Sequence, residues 1–343
     1  MCTKRHFTGR FVLHMPFFRL NFERYAAERL KDKMFNVFID GREGTTGLQI
    51  YDRLAKRGDC NILVLPEDKR KDVAARKECL NGADISFLCL PDAAAREAVS
   101  LIENKHSRVI DASTAHRTAE GWVYGLPELS DERREKIAKA DRVANPGCHA
   151  TGFITLVAPL VKAGIAGADY PFVAHSVTGY SGGGKKMIAE YENESRDKAL
   201  DSPRQYSLAL SHKHIPEMVK ECALAHAPIF NPIVADFYCG MCVTVPLYKS
   251  LLLKKYGPDD IREFFAEYYA SHNFLKVAKK EENSVYLAAN ELAGTNNLKI
   301  YVSGNDDMIL LCSVFDNLGK GASGAAVQNM NIMLGLDETF SLV

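Results

Sequence analysis

The 343 residues are 47% hydrophobic and 25% charged, enough apolar side chains for a large core divided between two domains. Forty-three basic side chains balance forty-three acidic ones with no long block of either sign, which excludes a general electrostatic pull toward nucleic acid or membrane and leaves a small molecule as the default partner. Nine cysteines, odd in number and without a framework spacing, and no signal-peptide pattern lead us to expect free thiols in a reducing cytoplasm.

Residues 1–33 differ in texture from the rest, with scattered Lys and Arg and bulky apolar clusters around Pro16. The run from Phe11 to Leu20 is too short to span a bilayer. The segment is poor in acids up to Glu23, as targeting peptides are, but Met34 directly precedes a strong strand and is a natural start. Residues 1–33 are therefore expected to be an extension outside the fold.

From Asn36 the pattern is regular. Val37-Phe38-Ile39 ends in Asp40-Gly41 and leads into a helix-compatible stretch from Thr46 to Arg57. Apolar runs at Ile62–Leu65, Ile85–Leu90 and Val109–Ile110 alternate with helix-like stretches at Asp72–Leu80 and Ala93–Ile102. This alternation predicts an α/β fold with a Rossmann-like, doubly wound parallel sheet. The turn after the first strand, Gly41-Arg42-Glu43-Gly44-Thr45-Thr46-Gly47, has the spacing G-x-x-G-x-x-G. Its glycines allow a tight turn and close backbone approach to a pyrophosphate seated on the following helix start. Gly41, Gly44, Thr45, Thr46 and Gly47 are thus candidate cofactor contacts, against the alternative of a glycine turn with no ligand. After the second strand come Pro66-Glu67-Asp68-Lys69-Arg70-Lys71. Acids there suit NAD and cations NADP, so Lys69 and Arg70 favour NADP, although a solvated loop has the same composition.

A fourth strand, Val109 to Asp111, is followed by Ser113 and Arg117 at the end of the sheet where ligands bind, and arginine grips phosphate or carboxylate in bidentate fashion. The segment Asn145-Pro146-Gly147-Cys148-His149-Ala150-Thr151-Gly152 then places a cysteine at a helix start, where positive amide groups are expected to lower the thiol pKa and supply a nucleophile. Cys60, Cys79, Cys89, Cys222 and Cys312 instead read as inert core residues. Beyond Tyr170, strand-like runs at Phe172–Thr178, Val234–Val245, Leu298–Val302 and Met308–Phe315 predict a mixed or antiparallel sheet. Ser181-Gly182-Gly183-Gly184-Lys185-Lys186 reads equally as a loop near the ligands or as a linker. Cys239-Gly240-Met241-Cys242 lies within a strand-like run, where residues three apart point to opposite faces, so structural packing is expected unless Gly240 bulges.

These features come together in a resemblance. N-P-G-C followed by T-G resembles the active-site segment of N-acetyl-gamma-glutamyl-phosphate reductases, and G-R-E-G-T-T-G is similar to their shorter-chain branch. Matching stretches run from about Phe35 to Leu334 and include Ser113-Thr114-Ala115-His116-Arg117, Gly125-Leu126-Pro127-Glu128, His212-Lys213-His214-Ile215-Pro216-Glu217 and Gly319-Lys320-Gly321-Ala322-Ser323-Gly324-Ala325-Ala326. His149 departs from the pattern, since many members carry an aromatic residue there. The resemblance implies NADPH-dependent reduction of an acyl phosphate through a Cys148 thioester in arginine biosynthesis. It also implies His212 as general acid and base with Glu217 available to orient it, His214 as supporting or substrate-facing, and His149 beside the substrate. It assigns Ser113 and Arg117 to the substrate's phosphate or carboxylate, and brings Asn317, Gly319 and Gly321 near the nicotinamide. The implied division is a dinucleotide-binding domain at 34–147 and 317–343, and an α+β catalytic, substrate and oligomerisation domain at 148–316. A homo-oligomer, dimer or tetramer, is expected.

Three other readings stay open at this level. One is a sister reductase such as aspartate-semialdehyde dehydrogenase, and another is a non-catalytic NADP-binding sensor. The third is a zinc hydrolase built on His212, His214 and Glu217, for which no fourth ligand is evident.

Overall fold

A computed structural model describes residues 33–282 and 285–343, so the extension expected at 1–33 lies, but for its last residue, outside the described residues. Strand β1 (Phe35–Asp40) turns at Gly41 into helix α1 (Thr45–Leu54). The alternation continues through β2 (Cys60–Leu63), α2 (Val73–Gly82), β3 (Ile85–Leu88), α3 (Asp92–Ser100) and β4 (Arg108–Asp111), then β5 (Val123–Tyr124), α4 (Asp131–Lys139) and β6 (Arg142–Ala144). All six strands pair in parallel in the order β2-β1-β3-β4-β6-β5, as the alternation predicted. A parallel sheet is covered on both faces, which is why β3 is buried at every position rather than at alternate ones. The strand order reverses between β1 and β3, and the glycine turn sits at that switch point, the standard ligand crevice of open α/β sheets.

The second sheet comprises β7 (Val173–Gly179), β8 (Arg204–Gln205), β9 (Ile229–Ala235), β10 (Met241–Tyr248), β11 (Leu275–Val277), β12 (Leu298–Gly304) and β13 (Met308–Phe315). Its order is β11-β12-β13-β10-β7-β9-β8, with antiparallel pairs throughout except β7 with β9 and β11 with β12. The run expected as one strand from Val234 to Val245 is two, because the chain turns at 236–240, where Gly240 adopts φ +122°. An added Cβ at Gly240 would lie 2.6 Å from the Ala289 carbonyl oxygen. Cys239 therefore sits in the turn, while Cys242 lies in β10 beside Thr244 at 3.7 Å.

Between the sheets lies α5 (Cys148–Lys162), almost wholly buried. Phe153, Ile154, Leu156, Val157 and Leu160 share a core with Val243, Val245 and Leu311 of the inner sheet face. Gly152 allows the approach: a Cβ there would press on Val243 and come within 2.8 Å of Ser313 Oγ. Gly152→Val is therefore expected to overpack this contact and destabilise the fold by about 1–3 kcal/mol, read as a lower denaturant midpoint at unchanged m-value. The last helix, α9 (Gly324–Leu334), returns to the parallel sheet, where Ala326, Val327, Met330 and Met333 pack with Val37, Ile39, Ile110 and Val143. The chain thus crosses from one sheet to the other at Cys148 and back again after Phe315, and both crossings meet at the cleft. Among the described residues no helix is long and apolar enough to cross a membrane.

Candidate active site

The two crossings enclose a cleft of ≈ 330 Å³ lined by Arg117, Gly147, Cys148, His149, Tyr206, His212, Lys213, His214 and Asn317, with Gly182 and Gly183 on the opposite wall. Cys148 is the first residue of α5, capped by Gly147. Side chains crowd behind that cap: a Cβ on Gly147 would strike Arg117 and lie within 2.5 Å of His214 Nε2 and 2.6 Å of Glu217 Oε1. Gly321, in the π-helical turn Gly319–Ser323, passes so close that its Cβ would fall 2.8 Å from that of Cys148. The cysteine is held between two glycines and opens on the cleft.

The thiol is not depressed, contrary to the expectation from the helix start. Burial pushes it up to about 11, opposed by the Arg117 guanidinium, the His149 N–H and Lys213. The favourable amide and cations are present, but desolvation of a thiolate on the cleft floor outweighs them.

Glu217 does not orient His212. Its Oε1 accepts from Arg117 Nη1 at 2.7 Å, and its Oε2 accepts from the Tyr124 hydroxyl at 2.6 Å and the Gly147 amide at 3.1 Å. Glu217 lies in the first turn of helix α7 (Ile215–Glu221), which directs its side chain under the cysteine turn and away from the imidazole. Arg117 is likewise committed: Nε donates to the Asn145 carbonyl at 3.0 Å and Nη2 to the Ala112 carbonyl at 3.2 Å. Burial works against its charge and Glu217 more than offsets this, so its pKa is raised. Of five N–H groups, two remain for a ligand. Ser113 is spent altogether, donating to Asp111 Oδ2 at 2.8 Å and accepting from the Ala115 amide, and it does not line the cleft. The substrate role expected for Ser113 is therefore replaced by that of a turn anchor. Lys213, which the sequence reading left without a role, lines the cleft with no ion pair among the described residues.

Three imidazoles share one wall. Ring centroids are 4.6 Å apart for His212 and His214 and 5.3 Å apart for His149 and His212, with Phe230 5.2 Å from His212. Burial drives His149 down to about 3 and His212 to about 4, and His214 well below the usual histidine range, so all three are neutral near pH 7. His212 Nδ1 accepts from the His214 amide at 3.1 Å, which places its proton on Nε2. No hydrogen bond joins His212 to Cys148; this imidazole is set to donate into the cleft rather than to take the thiol proton. Among the described residues no three His, Cys, Asp or Glu side chains converge to hold a metal ion.

Comparison with known proteins decides the family. The semialdehyde dehydrogenase NAD-binding domain matches residues 64–140 and the semialdehyde dehydrogenase dimerisation domain residues 148–317. N-acetyl-gamma-glutamyl-phosphate reductase 2 of Nostoc sp. is 46% identical over 317 residues, covering 89% of this chain and 98% of its own. N-acetyl-gamma-glutamyl-phosphate reductase of Chelativorans sp. is 48% identical over 304 residues, covering 87% and 97%. The chain belongs to the N-acetyl-gamma-glutamyl-phosphate reductase family. Among solved structures, aspartate semialdehyde dehydrogenase from Francisella tularensis superposes with TM-score 0.66 at 15% identity, over 88% of this chain and all of that one, and so shares the fold.

The cofactor side of this family member can be read in the same terms. Gly41 has φ +84°, and any Cβ there would strike the Cys89 carbonyl; one on Gly47 would lie 2.5 Å from the Gly41 carbonyl. Helix α1 has no side-chain cap and no acid in its first turn, and Thr45 Oγ1 is buried without a partner. An uncapped helix start with an orphaned hydroxyl fits a pyrophosphate. Gly44, Thr45, Thr46 and Gly47 line this crevice together with Ser181, Gly182 and Gly184. The glycine-rich segment lines this crevice as a short 3₁₀ turn leading into a helix at Gly184–Tyr191. Toward the β1–β2 edge a second crevice is lined by Arg42, Glu43 and Arg70, with Arg70 Nη2 3.2 Å from Glu43. Lys69 is exposed and outside this crevice because the 3₁₀ turn Glu67–Lys69 carries it away, while Arg42, inside the glycine turn itself, lines it. Asn317 lines the catalytic cleft, with its amide bonded to the Gly240 N–H at 2.8 Å and Ser181 Oγ at 3.1 Å. Gly319 faces the Thr295 carbonyl so closely that only a glycine fits there.

Proposed function

We propose that this protein reduces N-acetyl-glutamyl 5-phosphate to N-acetyl-glutamate 5-semialdehyde with NADPH, releasing phosphate, by way of a thioester on Cys148. The observation that carries the reading is the position of Cys148: it opens on a cleft that joins the glycine-turn crevice to the cations Lys213 and Arg117. Relatives of this chain at 46–48% identity carry the corresponding name.

The residues divide the work. Lys213 and the two spare Arg117 N–H groups hold the substrate's anionic groups, with the phosphate beside Cys148. Cys148 sulphur attacks the acyl carbon as the thiol gives up its proton, the C–O bond to phosphate breaks, and phosphate leaves with the electron pair and takes that proton as hydrogen phosphate. The orphan amides at the start of α5 and His212 Nε2–H face the carbonyl oxygen and stabilise its negative charge as it develops. Bound NADPH supplies hydride to the thioester carbon. His212 then donates its hydrogen bond to the thiohemiacetal oxygen, and collapse releases the aldehyde and regenerates the Cys148 thiolate.

NADP is preferred over NAD through Arg42 and Arg70, whose guanidinium groups flank the crevice where a 2'-phosphate belongs. The dinucleotide-binding unit is 34–147 with 317–343, and 148–316 forms the catalytic unit. That second unit assembles with another copy through the outer face of the mixed sheet, where Ile229, Tyr248, Met308 and Leu310 lie exposed.

The test is phosphate-dependent reduction of NADP by N-acetyl-glutamate semialdehyde, run beside aspartate semialdehyde. Turnover confined to the first aldehyde is expected. Preference for the second would move the protein to the sister reductase, and binding of NADP without turnover of either would leave a sensor.

A further inference from the structure

The proposed function leaves unexplained a chain of hydrogen bonds that ends at the cleft wall. Ser176 Oγ lies 2.7 Å from His149 Nδ1, and His149 Nε2 lies 2.7 Å from the Tyr206 hydroxyl. Ser176 is on the inner face of β7, fully buried, and its hydroxyl has no other partner among the described residues. A buried hydroxyl hydrogen needs an acceptor, and the only one within reach is Nδ1. Ser176 therefore donates to Nδ1. Because His149 is neutral, its one ring proton is then on Nε2 and is donated to the Tyr206 oxygen. The hydroxyl hydrogen of Tyr206 is left without a protein acceptor, on a half-buried side chain that lines the cleft beside Cys148.

We propose that Tyr206 is a specificity-determining residue whose hydroxyl donates to a neutral amide carbonyl of the substrate, held in that orientation by Ser176 and His149 as positioning residues. This rests on the function proposed above and names which part of the substrate the wall reads. The surroundings select the acceptor. Tyr206 stands among neutral imidazoles and Phe230, with His149 and His212 ring centroids 6.2 Å and 5.9 Å away. A carboxylate or phosphate is better served by Lys213 and Arg117, which carry charge, than by the uncharged Tyr206 hydroxyl. An acetamido carbonyl needs one neutral donor, which is what the relay presents. His149, expected from the sequence to touch the substrate, acts through Tyr206, since both its nitrogens are occupied.

The experiment compares kcat and KM for N-acetyl-glutamate semialdehyde and for glutarate semialdehyde, which has the same chain and carboxylate but no acetamido group. In Tyr206→Phe the ratio of kcat/KM between the two aldehydes is expected to fall on the order of 10-fold or more, chiefly through KM of the acetylated one. His149→Leu is expected to lower the ratio in the same way, and His149→Gln, which keeps an N–H toward Tyr206, to restore much of it. A purely structural role would slow both aldehydes alike and leave the ratio where it was. An unchanged ratio in Tyr206→Phe overturns the contact with the amide, and an unchanged ratio in His149→Leu overturns the relay. Absence of wild-type turnover of the acetylated aldehyde would instead overturn the proposed function, and the acceptor named here with it.

Discussion

Replacing Cys148 by serine is expected to abolish aldehyde formation, with kcat falling on the order of 10³-fold or more while NADP binding is kept. A hydroxyl fits the space between Gly147 and Gly321 that the thiol occupies, so the loss reports chemistry and not folding. The thiol's own ionisation gives a second readout. Burial holds it at about 11, so alkylation of Cys148 by iodoacetamide should rise about tenfold per pH unit from neutral pH toward that value. His212, at about 4, should add no inflection above pH 5. An imidazole-shaped step near pH 6–7 would mean that His212 titrates with the thiol as a pair, against the hydrogen bond from the His214 amide.

The second large effect is expected at a residue that touches no reacting atom. Glu217→Gln leaves the Arg117 guanidinium buried without its counter-charge and weakens the bonds to Tyr124 and the Gly147 amide. Removing one partner of a buried pair typically costs about 3–5 kcal/mol, so the denaturant midpoint should fall sharply. Activity should fall as well, because the amide released is that of the residue capping Cys148. If Glu217 served instead to polarise His212, the variant would lose activity with little change in stability. Measuring both on one preparation separates the two roles.

What could be read from the sequence, and what could not, follows from the range of the forces involved. The parallel sheet was legible because buried strands write near-continuous apolar runs, as at Ile85–Leu88, broken only by Ser86. The cysteine was legible because a Pro-Gly turn before an apolar helix is a local signal. The splitting of Val234–Val245 was hidden, since only the positive φ of Gly240 marks the turn and neighbouring residues keep a strand-like composition. Glu217 was recognised as important and given the wrong partner. Spacing along the chain put it near His212, whereas its bonds reach Arg117 and Tyr124, 100 and 93 residues away. Ser113 failed for the opposite reason: Asp111, two residues back, captures its hydroxyl. Tyr206 and Lys213 were missed as site residues. Lys213 carries no local signal beside the two histidines that flank it, and Tyr206 reaches the site through His149, 57 residues away in sequence. The cofactor turn was found from its glycines, yet Arg42 within it was passed over for the more conspicuous run at Lys69 and Arg70.

The most direct test of the central claim is to mix the protein with N-acetyl-glutamyl phosphate in the absence of NADPH, quench in acid, and map the acyl group by mass spectrometry. The account predicts one phosphate released per active site and the N-acetyl-glutamyl mass on the peptide bearing Cys148, in a bond labile to hydroxylamine. Phosphate release with no adduct at Cys148, or an adduct on another cysteine, would contradict it.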